Sequence, residues 1–479
     1  MQRLFRSDDD SKFIIRYGNA SAGNKVYSTS KTLDSTDGFY NSAITADEGE
    51  YTGQTSLAEG TYNLPCKIVQ SQGVGSNAVP NYEFNQLISV DEDGVATFLL
   101  PITKDFVTGA QIVTSNNWLN VTTANGVSLT VPQWDGSKGG EFFMVGRGGF
   151  VQVGSGNVDL RGKGFRRGVV NTTNNDGGGY GGEGLAGYSG AGGWNPTTSP
   201  EGQAPSGGGY GGGSFFGTGA SGATNYTGGG GGGGAKYQQG DESAGGGGGG
   251  GNLHGGGGGG AGTDSNGSGG AGGASNSVGG GNGGTGLNGA GSASGSKATN
   301  VSGNGGNGRD GAGALGGGGG GGANAITNSE LKAMHMGGGG GAGGNYWDNT
   351  GASLKTGGNG GNGAGCSTII FPTITLTGGV LTTGQQGTGS ENRGGGGGSG
   401  AGGDQRFIGK YIDLGNNCNA NGVAGLDPLF GGGGGASSKA SIHVDYLVSV
   451  AGTTTPTAST RNDLSITNDK GGAFLHHFM

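Results

Sequence analysis

Residues 316–322 read GGGGGGG, and residues 357–363 read GGNGGNG. The first run is glycine throughout, and the second carries asparagine at every third position. Both fit a left-handed extended helix with three residues per turn, ~3.1 Å rise and no internal hydrogen bonds. In that conformation every peptide N–H and C=O points outward and needs a partner on a neighbour. An interior helix must then be glycine at all three positions, as at the collagen axis, whereas an edge helix can carry a side chain at one. Residues 228–234 and 316–322 are interior-like, and 357–363 and 303–308 (GNGGNG) are edge-like. The expectation is a bundle of polyglycine II helices. The plainer alternative is flexible coil, because glycine-rich linkers are random chains and each ordered glycine costs extra backbone entropy. Further runs at 245–251, 255–260 and 337–341 have similar lengths and are punctuated by short inserts. A linker needs no such punctuation.

Working outward, 130 of 479 residues are glycine, against a usual ~7%. Charged residues make up 12% and hydrophobic residues 30%, so one oily core cannot organise the whole chain. The net charge of -8 argues against a basic nucleic-acid platform. Cys66, Cys366 and Cys418 are odd in number and far apart, with no metal spacing, and read as isolated structural thiols with a single disulfide left open. No apolar run reaches the ~20 residues of a membrane span. The opening MQRLFRSDDDSKFIIRYG carries no signal-peptide core. The expected localisation is therefore virion or extracellular, after cytosolic synthesis and release by lysis.

Four zones follow: an N-terminal β attachment region (1–90), a strand and hairpin region (91–175), the glycine-rich zone with inserts (176–435) and a C-terminal β segment (436–479). The expected fold class is all-β followed by a polyglycine II bundle and a short β tail, with almost no α-helix. Turns are marked by Asp93-Gly94, Asn125-Gly126 and Asp135-Gly136. Residues 120–153, VTTANGVSLTV then EFFMVGRGGFVQV, alternate as β-hairpins or stacked short strands. Trp118, Trp134, Phe142 and Phe143 are candidate core residues. ITNSELKAMHM (326–336) is the best short helix candidate.

Glycine runs alternating with irregular inserts after a β-rich region resemble the distal tail-fibre adhesins of T-even-type phages. The resemblance covers roughly 176–435 and is architectural. The stretch WDGSKGGEFF (134–143) with VDLRGKGFRRG (158–168) also looks like the entry to glycine-rich domains of bacterial and phage surface proteins. The resemblance implies an N-terminal domain that attaches to the fibre, a polyglycine II sandwich, and inserts that form receptor-binding loops at a tip. The chain departs from that pattern in its large β region before the glycine zone and its β tail, SIHVDYLVSVAGTTTPTAST (441–460).

The inserts hold Trp194, Tyr210, Phe215, Phe216, Tyr226, Tyr237, Tyr346 and Trp347. Tyr and Trp give contact area at low entropy cost, so these are candidate receptor-binding residues, with packing at bundle ends as the alternative. Leu253-His254 and Met334-His335-Met336 are short apolar stretches between glycine runs and read as loop tips. Asp8–Asp10 and Asp91–Asp93 read as solvated turns, and His476-His477 as a polar end. No catalytic motif, metal site or cofactor fingerprint is present, and an isolated G-x-G-x-x-G in so much glycine carries no weight without a strand before it and a helix after it. The expected function is non-enzymatic: a phage receptor-binding fibre protein contacting a host surface protein or glycan and, through its N-terminal region, other virion proteins, with homo-oligomerisation open. A purely structural fibre subunit and an ice- or polysaccharide-binding surface protein are the alternatives.

Overall fold

The structure, a computed structural model, describes residues 24–33, 59–71, 81–106, 109–170, 334–347, 354–389, 394–426 and 433–463. Shorter described stretches are 13–15, 21–22, 40–45, 52–55, 179–184, 187–188, 230, 236–237, 248–250, 310–311, 314–315, 331, 467–468 and 474–478. Among the described residues there are strands and no helix.

Three ladders of parallel strands form a coil. The first holds Ser21–Ala22, Asn117–Trp118, Glu141–Gly146, Cys366–Ile370, Gln405–Asp413, Ile442–Ala451 and Ser459–Asn462. The second holds Lys25–Tyr27, Val121–Thr123, Gly149–Gln152 and Thr373–Thr375, and continues into the far halves of Gln405–Asp413 and Ile442–Ala451. The third holds Lys31–Thr32, Leu129–Thr130, Val158–Asp159, Val380–Leu381, Cys418–Asn419 and Thr454–Thr455. Each turn of the coil passes from first to second to third ladder.

Like side chains stack from turn to turn, which is how short strands build a core here. Met144, Ile369, Phe407 and Val444 are register partners in the first ladder, and Val121, Phe150, Ile374 and Ile412 in the second. All eight are buried. The corner between the second and third ladders is made by glycine at positive φ in successive turns: Gly126 (77°), Gly154 (71°), Gly379 (76°) and Gly415 (58°). A left-handed residue costs glycine nothing and costs other residues a steric penalty. The 120–153 stretch is therefore two stacked turns, with Val121 facing Phe150 in parallel, and the hairpin alternative for it is excluded.

Everything else is inserted between turns. Between the first and second turns lies a closed antiparallel barrel of Tyr40–Thr45, Thr52–Thr55, Gly60–Gln70, Tyr82–Val90, Val95–Phe98 and Ala110–Thr114. Its core includes Ile68, Leu87, Phe98, Ile102, Phe106 and Ile112. The barrel covers the outer side of the first ladder, where Phe84 stacks on Phe143 at 5.7 Å. A sheet covered on both faces reads as continuously apolar, which accounts for EFFMVG being buried throughout. A division at residue 90 thus falls inside one hairpin, because Tyr82–Val90 pairs with Val95–Phe98 around Asp93-Gly94. The Asp91 carboxylate accepts the Asp93 and Val95 amides, so this acidic run closes a turn.

The glycine-rich segments leave the third ladder and return to the first: 160–365, 382–404 and 420–441. The glycine zone is therefore not one block, because turns of the coil at 366–381 and 405–419 interrupt it. Segment 337–344 shows how these arms lie together. Its amides at 337, 340 and 343 donate to the carbonyls of 364, 361 and 358 at 2.8–2.9 Å. Those at 339 and 342 donate to Glu183 and Tyr180, and that of 341 to Gly248. Its carbonyls at 338, 341 and 344 accept from 401, 398 and 395; those at 337 and 340 accept from 165 and 168; that of 339 accepts from 230. The partners change with a period of three, and the segment touches neighbours on all sides. A Cβ added at Gly337, Gly343, Gly360 or Gly363 would lie 1.8–2.0 Å from a neighbouring carbonyl oxygen. Only glycine permits that approach, with Cα–H directed at oxygen.

In segment 357–363, Asn359 and Asn362 accept the amides of Val170 and Arg167 through their side-chain oxygens. The terminal strands Phe13–Ile15 and Phe474–Phe478 pair antiparallel.

Candidate functional site

Segment 337–344 runs outward from the coil, and 357–365 runs back into the strand Cys366–Ile370. The Gly357 amide donates to the Asn345 side-chain oxygen at 2.9 Å and closes the neck of this hairpin. Beyond the neck, Tyr346–Trp347 pairs antiparallel with Leu354–Lys355 and parallel with Lys236–Tyr237. Backbone pairing therefore gathers three of the candidate insert aromatics, Tyr237, Tyr346 and Trp347, into one small sheet beyond the neck. Trp194, Tyr210, Phe215, Phe216, Tyr226, Leu253 and His254 lie outside the described residues.

Met334, His335 and Met336 are not a loop tip. They are buried, because they form the root of the outgoing segment rather than its far end. Met336 packs with Trp134 and Phe165, whose rings meet edge-on at 5.9 Å. His335 Nδ1 lies 2.8 Å from Asp404 Oδ2, which also accepts the His335 amide. Met334 Sδ sits beside Lys67 and Thr368. Composition alone gives root and tip the same signature, an apolar stretch beside a glycine run.

Sequence reasoning missed a buried ionic seam between barrel and coil. Lys67 of the barrel donates to Glu141 of the first ladder at 2.8 Å, both fully buried. The Cys366 thiol lies 2.9 Å from the same carboxylate oxygen. Farther along the ladder, Arg406 pairs with Asp445 at 2.7 Å and also bonds the Tyr82 hydroxyl of the barrel. Tyr82 in turn donates to the Leu331 carbonyl. Burial opposes ionisation of Asp445, but Arg406, then His443 and Arg461, outweigh it and hold the carboxyl well below its usual range. No local motif signals this seam, because its members are scattered from Lys67 to Asp445.

The seam ends in a serine, a histidine and an aspartate in contact. His443 Nδ1 is 2.7 Å from Ser459 Oγ, and His443 Nε2 is 3.1 Å from Asp445 Oδ1. A nucleophile array needs a place for substrate and donors for a developing oxyanion. His443 and Asp445 are buried, and the Asp445 carboxylate is shared between two guanidinium groups. This arrangement pins successive turns of the coil.

The three thiols are free and buried, and burial pushes that of Cys418 up to about 12. Among the described residues no group of His, Cys, Asp and Glu is placed to hold a metal ion. No described helix is long and apolar enough to cross a membrane.

No protein-family model, curated protein or solved structure matches the chain. Function is therefore read from the residues.

Proposed function

We propose that this chain is a virion tail-fibre receptor-binding protein, in which a polyglycine II frame rooted in the β coil presents insert loops to a host surface. The observation that carries the reading is the segment 337–344, with backbone bonds that change partner every third residue and neighbours on every side. Threefold periodicity, outward peptide groups and glycine-only approach are the properties of polyglycine II helices in lateral contact. Such a frame holds its far end still without a hydrophobic core. Loops on a rigid scaffold are where recognition is usually placed. The small sheet of Tyr237, Tyr346 and Trp347 sits at that end, and aromatic anchors dominate binding surfaces. The barrel, inserted at the start of the coil, is the segment through which other virion proteins are engaged.

The test is adsorption. Virions carrying the chain with Tyr237, Tyr346 and Trp347 each replaced by alanine should keep the far-UV circular dichroism of the purified chain and lose attachment to host cells. Full attachment by the triple variant would sink the proposal.

A further inference from the structure

We propose that the outer face of the second ladder is the surface through which two copies of this chain pair, with their coils running in opposite directions. The strands of this ladder alternate: Val121, Phe150, Ile374 and Ile412 are buried in the core, and their chain neighbours face outward. The outward residues in line along successive turns are Val26, Thr122, Val151, Thr375, Asp413 and Ala451. Five of the seven large apolar side chains that stay exposed among the described residues lie on this ladder or at the corners that flank it: Val26, Leu119, Val153, Tyr411 and Val448. Single exposed apolar residues are ordinary, but a contiguous apolar patch marks an interaction surface.

Place and size fit a second copy. The barrel covers the first ladder, and the glycine arms join the third ladder to the first, at the corner opposite this face. Residues 119–125 give the face a width of ~23 Å, and the stacked turns give it a height of ~29 Å. Two such faces bury ~1,300 Å² together, inside the span of roughly 1,200–2,000 Å² that specific, stable pairs bury. The centres of such interfaces are poor in charge and rich in aromatic residues. Here Asp413 is the one charged residue in its row, and Tyr411 projects beside it.

The face is complementary to itself, as a twofold contact requires. An axis along the strands, through the middle of the face, sets the first turn of one copy opposite the last turn of the other. The row then meets itself reversed: Val26 on Ala451, Thr122 on Asp413 and Val151 on Thr375. In the neighbouring row Thr373 meets Gly149, a side chain over a position that has none. Charge fixes the direction. Coils running the same way would set Asp413 against Asp413, and like charges in apposition are costly. Coils running in opposite directions hold the two carboxylates three turns apart, ~14 Å, beyond the screening length of ~8 Å. Each carboxylate then stands opposite a Thr122 hydroxyl, which can donate to it.

Sedimentation equilibrium of the intact chain at micromolar concentration tests the proposal, and should give twice the chain mass of 46.2 kDa. Thr122→Asp sets a carboxylate against Asp413 of the other copy twice in each dimer. At about tenfold per contact it should weaken pairing by about a hundredfold. Adding Asp413→Arg to Thr122→Asp should restore pairing. Within one chain the two positions lie three turns apart, so only contact between copies produces that rescue. Tyr346→Ala should leave pairing unchanged, which separates this face from the inserts. Circular dichroism confirms that each variant is folded. A monomer at these concentrations would give the face to a different partner and overturn the proposal. Unchanged pairing by Thr122→Asp, or a double variant that pairs no more tightly than the single one, would overturn it as well.

Discussion

Gly340 lies midway along segment 337–344, and replacing it with alanine tests how tightly the glycine arms are locked together. The added Cβ would sit 2.1 Å from the Gly398 oxygen, 2.5 Å from the Gly398 carbonyl carbon and 2.8 Å from that of Ser399. All three are backbone atoms, so no side chain can swing aside. The two segments must part by about 1 Å to restore ordinary contact. That displacement strains the bonds joining them: Gly398 N to Gly341 O (2.9 Å), Ala401 N to Gly338 O (2.8 Å) and Gly395 N to Gly344 O (3.0 Å). At about 1 kcal/mol net per bond, the loss is about 3 kcal/mol. Alanine also narrows the unfolded ensemble, which returns up to ~1 kcal/mol. The expected net destabilisation is about 2 kcal/mol, read by urea unfolding, with faster amide exchange at 395–401. Gly389→Ala is the control, because its Cβ meets only the flexible Leu426 Cδ2 at 3.1 Å. It should stay within ~0.5 kcal/mol of the parent. Ala342 already carries a methyl in the same segment, so the effect belongs to position and not to residue type. A Gly340→Ala protein as stable as the control, with unchanged exchange at 395–401, refutes the reasoning.

Glu141→Gln leaves the Lys67 ammonium buried beside a neutral amide and should cost about 3–5 kcal/mol in urea unfolding, whereas Lys67→Met with Glu141→Leu should recover most of it. Asp445 has a folded-state pKa below its unfolded value, so its contribution is fully present above the ordinary carboxylate range near ~3.9 and is lost as pH falls toward the folded value. Asp445→Asn should therefore lower stability at neutral pH and flatten its decline below pH ~4 in thermal melts; an unchanged acid limb would contradict this. Inserting one glycine after Gly397 rotates the outer part of that arm by about a third of a turn and gives each amide the wrong neighbour, whereas inserting three keeps the phase. The single insertion should lower the melting temperature more than the triple, and the reverse order would exclude threefold periodicity.

The arms were legible from sequence because their chemistry is local. Asn recurs at every third residue in 357–363, and the side chains of Asn359 and Asn362 accept amides of a neighbouring segment. The coil was hidden because its neighbours are remote. The apolar run in EFFMV marks a buried strand but not its partner, and Glu141 faces Cys366 across 225 residues. Four of the turns are followed by an insert, a barrel in one case and a glycine arm in three, so no constant repeat length survives in the sequence. A zone boundary between Val90 and Asp91 cuts through one hairpin, because the turn that links two strands and the turn that separates two domains use the same residues. Met334–Met336 are buried for a related reason that composition hides: the direction of the arm decides root or tip, and direction is not encoded in composition.

The coil and the arms depend on each other in one specific way. Each ordered glycine gives up more backbone freedom than any other residue, and an isolated polyglycine chain in water has no reason to make that sacrifice. Here arm 382–404 starts at Val380–Leu381 and ends at Gln405–Asp413, strands already fixed in the coil. Near its root, Thr382 and Gly403 are bonded at 2.9 Å, and the pairing continues outward through Gln385 with Gly400 and Thr388 with Gly397. The coil therefore supplies the nucleus, and each further threefold step adds hydrogen bonds to a register already chosen. Stability should then fall from root to far end, as it does in any cooperative zipper with one end held. Large inserts at the far ends disturb nothing that has not already formed. The inserts can vary in length and composition while the frame beneath them stays the same, which is the property a recognition surface requires.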